Sequence, residues 1–456
     1  MTQPSAEQPV ASGQGDRRAR SLKLAYATSL LSKVVTALVQ LLALPFAARQ
    51  LGTDQFGAML TLAAITSLFY IPGIGMAPAV SFLMARNLGL GDAPAAARAF
   101  VDALQVGVAA MLAWVAIGAA ALWFLPMSWI YGREAGLLGD MALYGAAAMF
   151  AHIALAYAVT LVDGGRAAMQ QNHISNIYAL CGSGVVFALT LLFVKLGLGL
   201  GWMYLSIFIV PVLFQLANLI HFMVEHRAML RSAHGVRSHR GDVLRSTLDF
   251  TRGQMGMVMH LHGIVFLCTQ LVGLSAGAIS GGIVRLYMQV NSLVQSVLNP
   301  LLPTLSAASS ARDYGWQRKA ILALVAIMWG ALPFGGLIVA VGGAFILHLW
   351  LDLDMAVGGA SSAAYAAWGT ASSMALVGFL LMIALGRSRL LSNLLLVSGA
   401  VGMGAGYLCL RAGSLDAAIW INALLLFLAG VVPPSLWIRQ LLKDNAAHRA
   451  AAAPEA

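Results

Sequence analysis

Apolar runs of roughly 20–30 residues recur along the whole chain, with only short polar breaks between them. Each is long enough to cross the hydrocarbon core of a bilayer as a helix, which takes about 20 residues. In lipid, every backbone N–H and C=O must find a partner within the segment, so such runs predict helices and not open strands. The spans fall at residues 24–48, 57–85, 99–125, 137–162, 173–195, 202–224, 247–272, 277–303, 320–350, 360–385, 389–410 and 416–438. The expected fold class is an all-α polytopic membrane protein, with about 12 transmembrane helices in two six-helix bundles around a central cavity. Composition agrees: 60% of residues are hydrophobic and 10% charged, where a soluble chain is about a quarter charged.

Charge placement sets the topology. The 456 residues carry a formal net charge of +10, which alone would suggest nucleic acid as a partner. The basic residues lie between apolar spans, where the bias of Lys and Arg towards the cytosol accounts for them, so no nucleic-acid partner is expected. With the N-terminus in the cytosol, the outer loops hold only Arg49, Arg133, Lys195 and Arg411, while Lys33 and Arg285 lie inside spans. Every other Lys and Arg falls on the cytosolic side, and an even number of spans puts both termini there.

The expected division is a disordered cytosolic tail over 1–20, a first six-helix bundle over 21–225, a basic cytosolic linker over 226–246, a second bundle over 247–440 and a cytosolic tail over 441–456. The linker also suits contact with anionic lipid headgroups. Gly52 and Gly57 between spans one and two, and Gly277 and Gly282 between spans seven and eight, repeat one spacing, as two halves of like orientation would. Pro72 with Gly73, and Pro78, interrupt span two; Pro211 interrupts span six and Pro333 span nine. Such breaks are tolerated where neighbouring protein or cavity water satisfies the freed backbone groups.

Span eight carries an unusual face. Arg285, Gln289, Ser292, Ser296 and Asn299 follow at steps of four, three, four and three, which puts all five on one side of a helix. A polar stripe headed by a cation suits the wall of a water-filled cavity better than lipid or a dry core. Span one repeats the pattern with Tyr26, Ser29, Lys33, Thr36 and Gln40. Neither span holds a carboxylate to neutralise its cation, and a lone charge in the bilayer costs about 2.5–3.5 kcal/mol on the insertion scale. A shared hydrated cavity that receives an anion resolves both. The competing reading is that each long side chain snorkels to the nearer headgroups, which leaves Gln40 and Ser296 without a role.

On span seven, His260 and His262 point to nearly opposite sides. His262 shares its face with Thr251 and Thr269 and is the candidate proton-coupling group; the plainer reading is a neutral, hydrogen-bonded core histidine. Ser361, Tyr365, Trp368 and Ser372 on span ten fit either an aromatic platform for a sugar or helix packing. Asn172, Asn176 and Ser183 on span five fit either role as well. Gly399, Gly402, Gly404 and Gly406 predict close helix packing. Cys181, Cys268 and Cys409 lie far apart in apolar stretches and read as small buried hydrophobes. There is no nucleotide-binding loop, metal-ligand cluster or nucleophile–base constellation, so no cofactor, no metal and no enzymatic chemistry are expected.

Short motifs carry a family resemblance. Leu51-Gly52 followed by Phe56-Gly57, the Gly73-Ile74-Gly75 break and the exit from span eight between Pro300 and Pro303 resemble those of bacterial polysaccharide flippases. These flippases belong to the multidrug/oligosaccharidyl-lipid/polysaccharide exporter superfamily, and the resemblance covers residues 20–440. It implies a V-shaped molecule in the bacterial cytoplasmic (inner) membrane, moving an undecaprenyl-diphosphate-linked oligosaccharide from the inner to the outer leaflet for cell-surface polysaccharide synthesis. Membrane lipids and a polysaccharide polymerase are the other implied partners. Lys33 and Arg285 would then hold the diphosphate. Gln40, Gln289, Ser292 and Asn299 would bond sugar hydroxyls, with Ser296 on the same stripe.

Rival readings stay open. A drug or cation antiporter of the same superfamily often has intramembrane carboxylates, which spans one, seven and eight lack. A lipid II flippase usually has two further spans. A membrane-embedded glycan polymerase or ligase needs a longer outer loop than any here.

Overall fold

The computed structural model describes residues 12–310, 314–351, 359–385 and 387–452. Helices cover each of the twelve expected spans, and no strand occurs among the described residues. Nine of the described helices are long and apolar enough to cross a membrane; the helix Ile71–Gly89 of span two is not among them, nor are spans seven and eight. Those two spans carry polar stripes and pack against the first half of the chain, so less of their surface has to suit lipid. Elsewhere the outer surface is apolar, with Trp123 83% exposed and Val341 84%. Contiguous exposure of this kind marks a lipid-facing surface.

The first helix, Ser12–Phe69, starts inside the tail expected to be disordered and bends at Gly52. The φ of 71° there is a conformation glycine adopts without penalty, and it turns span one into span two. Five residues on, Gly57 meets the second half: a Cβ at this position would overlap the backbone carbonyl of Leu274. A side chain at Gly281 would meet Leu60 and one at Gly277 would meet Thr269. Gly57 and Gly277 thus lie where the two halves touch, with Thr61 of the first half beside Gly277, whereas a Cβ at Gly52 would meet nothing within 4 Å. In the same way, side chains at Gly399, Gly402 and Gly406 would press on span seven or on Asn422, whereas Gly404 faces open space.

The break in span two lies at Tyr70, one turn before the expected Gly73-Ile74-Gly75. Pro72 falls in the first turn of the new helix, Ile71–Gly89, where its missing N–H leaves no bond unmade. Gly73 lies under the Tyr70 ring and Gly75 against Thr247 and Thr251 of span seven. Side chains from other helices meet backbone carbonyls near three of these breaks. Tyr157 donates its hydroxyl to the Phe69 carbonyl at 3.0 Å. Ahead of Pro211, the π turn Leu205–Ile209 presents the Phe208 carbonyl to His152 Nδ1, 2.6 Å away. Pro45, inside span one, deprives the Leu41 carbonyl of its helical donor, and the Trp350 indole donates to it at 2.7 Å.

The halves meet differently at their two ends. At the end away from the termini, Thr61 and Thr269 share a hydrogen bond of 2.6 Å. Leu274 N–H donates to Glu134 at 2.6 Å, and Gln270 Nε2 donates to the Ile130 carbonyl at 2.8 Å. At the terminal end, Asp102 of span three is fully buried. It pairs with Arg98 at 2.8 Å and accepts from Ser238 Oγ at 3.1 Å and from the His239 backbone. The expected linker is therefore docked on the first half, includes a short helix Arg227–Arg231, and leads into the helix Arg240–Val258. The C-terminal helix likewise runs on through the expected tail to Ala452.

Arg166, expected among the solvent-facing loop cations, is fully buried. It donates to Gln171 at 2.7 Å and Asn218 at 3.3 Å, pairs with Glu225 and lies 5.2 Å from the Phe222 ring. This clasp closes spans four, five and six at the terminal end. Of the cysteines, Cys268 is buried, Cys409 partly so, and Cys181 is exposed, contrary to expectation.

Candidate functional site

A cavity of about 400 Å³ opens inside the first bundle, not midway between the halves as expected. Spans one, two, four, five and six wall it, mostly with apolar side chains such as Leu44, Met59 and Phe214. Thr66, Tyr178, Ser183 and Gln215 supply its polar surface. Arg285 is the one described lining residue that comes from the second half, and no carboxylate is among the described lining residues. Arg285 is half-buried, and among the described residues no acceptor pairs with its guanidinium. His262 lies close enough to it for an electrostatic interaction. A cation whose hydrogen-bonding capacity is unmet, in a partly apolar chamber, is poised for an anion.

Lys33 is placed differently. It interacts electrostatically with Asp163, on the short helix Leu161–Ala168 that continues span four. Asp163 Oδ2 accepts from Gln215 Nε2 at 3.3 Å, while its Oδ1 and Gln215 Oε1 are buried without a partner. Thr36, one turn beyond Lys33, lies 3.4 Å from Ser183 Oγ, so this stretch of span one is turned towards span five. The absence of a carboxylate from spans one and eight is correct, but span four supplies one to Lys33. Asp163 lies one residue past the expected end of that span; the signal was Asp163 and Arg166 sharing a face three residues apart.

The other stripe residues that are described, Gln289 and Ser292, do not converge on the cavity. Gln289 is buried and Ser292 half-buried on span eight, and neither lines it. Between them, Asn291 accepts from Ser373 at 2.6 Å, tying this part of span eight to span ten. The side chains of Gln40, Ser296 and Asn299 lie outside the described residues.

The histidines separate as their opposite faces require. His260 is a core residue bonded to Asn422 Oδ1 at 3.1 Å and Ser398 Oγ at 3.0 Å. His262, by contrast, is on the face that meets the first half, with Thr251 against Gly75 and Thr269 bonded to Thr61. The span-ten stripe serves packing: Tyr365 shares a 2.7 Å hydrogen bond with Ser280, Trp368 donates to the His260 carbonyl at 3.2 Å, and Ser361 donates to Asp416 at 2.7 Å. On span five, Ser183 lines the cavity.

No protein-family model matches the chain, and no curated protein does. Solved structures do match. An inward-facing multidrug-resistance MATE family transporter of the MOP superfamily aligns with a TM-score of 0.72 and 15% identity, covering 92% of this chain and 99% of that one. A MOP superfamily transporter from Pyrococcus furiosus, whose reversed pocket polarity suggests a different function for it, aligns at 0.68 with 16% identity over 93% and 96%. An outward-facing multidrug-resistance MATE transporter aligns at 0.63 with 16% identity over 94% and 96%. The chain therefore has the two-lobed helical fold of these transporters.

Proposed function

We propose that this protein is an alternating-access transporter for an anionic amphiphile. We further propose that its cargo is an undecaprenyl-diphosphate-linked oligosaccharide, moved from the inner to the outer leaflet of a bacterial cytoplasmic membrane. The observation that carries the reading is Arg285. It reaches from the second half into a chamber of the first, with no carboxylate among the described lining residues. A diphosphate would take both edges of that guanidinium, while Thr66, Ser183 and Gln215 would meet sugar hydroxyls.

A cavity of about 400 Å³ falls within the range of about 300–1,000 Å³ common for small-molecule sites. It would hold the diphosphate and the sugars next to it, with the lipid tail left in the bilayer. Lys33 enters this scheme as a cation neutralised at rest: the arriving phosphate competes with Asp163 for it. The halves, 21–225 and 247–440, would rock about the linker at 226–246. The closer match to an inward-facing than to an outward-facing structure supports a cargo-accepting state open towards cytosolic termini. The seal from Gly57 to Leu274 at the other end supports it too.

A second reading, a drug or cation antiporter, is favoured by the multidrug transporters that share the fold and by Asp163, an intramembrane carboxylate. Proteoliposomes distinguish the two. One set carries a fluorescent undecaprenyl-diphosphate oligosaccharide in the inner leaflet, and the other a cationic dye with a sodium or proton gradient. Appearance of the labelled sugar in the outer leaflet without dye efflux supports the flippase. Gradient-driven dye efflux without sugar movement removes it in favour of the antiporter.

A further inference from the structure

A second basic groove lies away from the cargo chamber. The turn between span ten, Gly359–Ala384, and span eleven, Ser388–Arg411, brings Arg387 and Arg389 beside the helix Val432–Ala452. There they border a groove of about 260 Å³ with Trp437, Leu390, Leu394 and Pro433. Every described lining residue belongs to the second half, so the groove shares no side chain with the Arg285 chamber. The Arg387 guanidinium carbon sits 5.1 Å from the centroid of the Trp437 ring. Among the described residues neither arginine has a carboxylate partner, and no carboxylate lines the groove. The wall beyond is apolar and outward-facing: Leu390 is 67% exposed and Val397, two turns along the same helix, 62%.

We infer that this groove binds the phosphate headgroup of an acidic phospholipid, with its acyl chains lying along Leu390, Leu394 and Val397. The ring of Trp437 takes one face of the Arg387 guanidinium, which leaves the N–H edges of that group for phosphate oxygens, and Arg389 supplies a second fork. Trp437 itself is the side chain that membrane–water boundaries favour, with an apolar body and a polar edge. Charge complementarity selects an anion. The apolar wall, continuous with the lipid-facing surface, selects an anion that carries acyl chains, since a soluble phosphate gains nothing from Leu390 or Leu394. Basic side chains that simply snorkel towards water need neither the ring nor the groove.

Native mass spectrometry of the full chain in detergent tests this. The protein is titrated with phosphatidylglycerol, with phosphatidylcholine and with inorganic phosphate. The expected result is one phosphatidylglycerol retained in preference to phosphatidylcholine and not displaced by an equal concentration of phosphate. Arg387→Ala/Arg389→Ala should weaken that retention about tenfold, and Arg387→Lys/Arg389→Lys should fall between it and the native chain. Equal retention of the two lipids by the native protein, or equal phosphatidylglycerol retention by the double-alanine variant, overturns the site. Displacement by inorganic phosphate overturns the lipid assignment. The native-protein arm stands even if the double variant does not fold.

Discussion

The indole nitrogen of Trp350 donates a 2.7 Å hydrogen bond to the backbone oxygen of Leu41, 309 positions away in sequence. That oxygen is the one Pro45 leaves without a helical donor. An unmet carbonyl costs several kcal/mol in hydrocarbon, so the contact both repairs span one and ties it to span nine at the end away from the termini. Trp350→Phe keeps an aromatic ring, though a smaller one, and removes the donor, at a cost of about 1–3 kcal/mol. That end should then open more often. In a cysteine-free background, Ala43→Cys in the cavity wall should react faster with an impermeant maleimide added from that side; unchanged labelling would show that Trp350 does not hold the seal.

Arg285→Ala should lower flipping of a diphosphate-linked cargo about ten- to hundredfold, the worth of a charge-assisted hydrogen bond of about 1.5–3 kcal/mol. Membrane insertion and melting temperature should stay near those of the native chain. Arg285→Lys should recover part of the rate, because it restores the charge without the bidentate fork. Full activity in the alanine variant would falsify the cargo assignment.

Lys33 and Asp163 should behave as a coupled pair. Lys33→Ala removes the cation beside Asp163 and should cost about 1–3 kcal/mol, less than for a fully buried pair because both residues are partly exposed. Adding Asp163→Asn should return the melting temperature to near native. If Lys33 also grips cargo, the double variant stays slow in transport. Recovery of both stability and transport would make the pair purely structural.

Gly57→Ala should damage the contact between the halves, because a Cβ there overlaps the Leu274 carbonyl. Backbone cannot rotate aside as a side chain can, and overpacking of this kind costs about 1–3 kcal/mol. Gly136→Ala, which meets nothing within 4 Å, serves as the control. Equal melting temperatures for the two variants would mean that the halves yield at Leu274.

Acid should loosen the clasp around Arg166. His226, just past span six, bonds to Gln171 at 3.1 Å. Burial pushes its imidazole below the ordinary value of 6.5; Glu225 opposes the shift, and Arg166 and His221 add to it. A histidine with a depressed pKa contributes stability above its unfolded value and loses it as pH falls through the folded one. The melting temperature should therefore fall as pH drops below about 6.5, and His226→Gln should flatten that part of the profile. An identical slope in the variant would place the acid sensitivity elsewhere.

Much of the fold was legible because bilayer constraints are local. Spans such as 99–125 and 389–410 announce themselves within their own residues, and the structure moves their ends by only a few positions. Span two was harder. Its glycines looked like the break, yet Gly73 and Gly75 serve close packing and the chain turns at Tyr70. Of the proposed site, Arg285 was legible as a charge on a greasy helix. Its destination inside the other half was not.

The order of apolar and polar residues determined that this chain crosses a membrane about a dozen times as helices, since hydrocarbon admits few other solutions. Tertiary structure decided which carbonyl Trp350 would meet, that Asp163 would answer Lys33, and that Arg285 would stand without an acid among the described residues. Those outcomes depend on helices far apart in sequence meeting at particular heights and rotations. No periodicity within one segment encodes that.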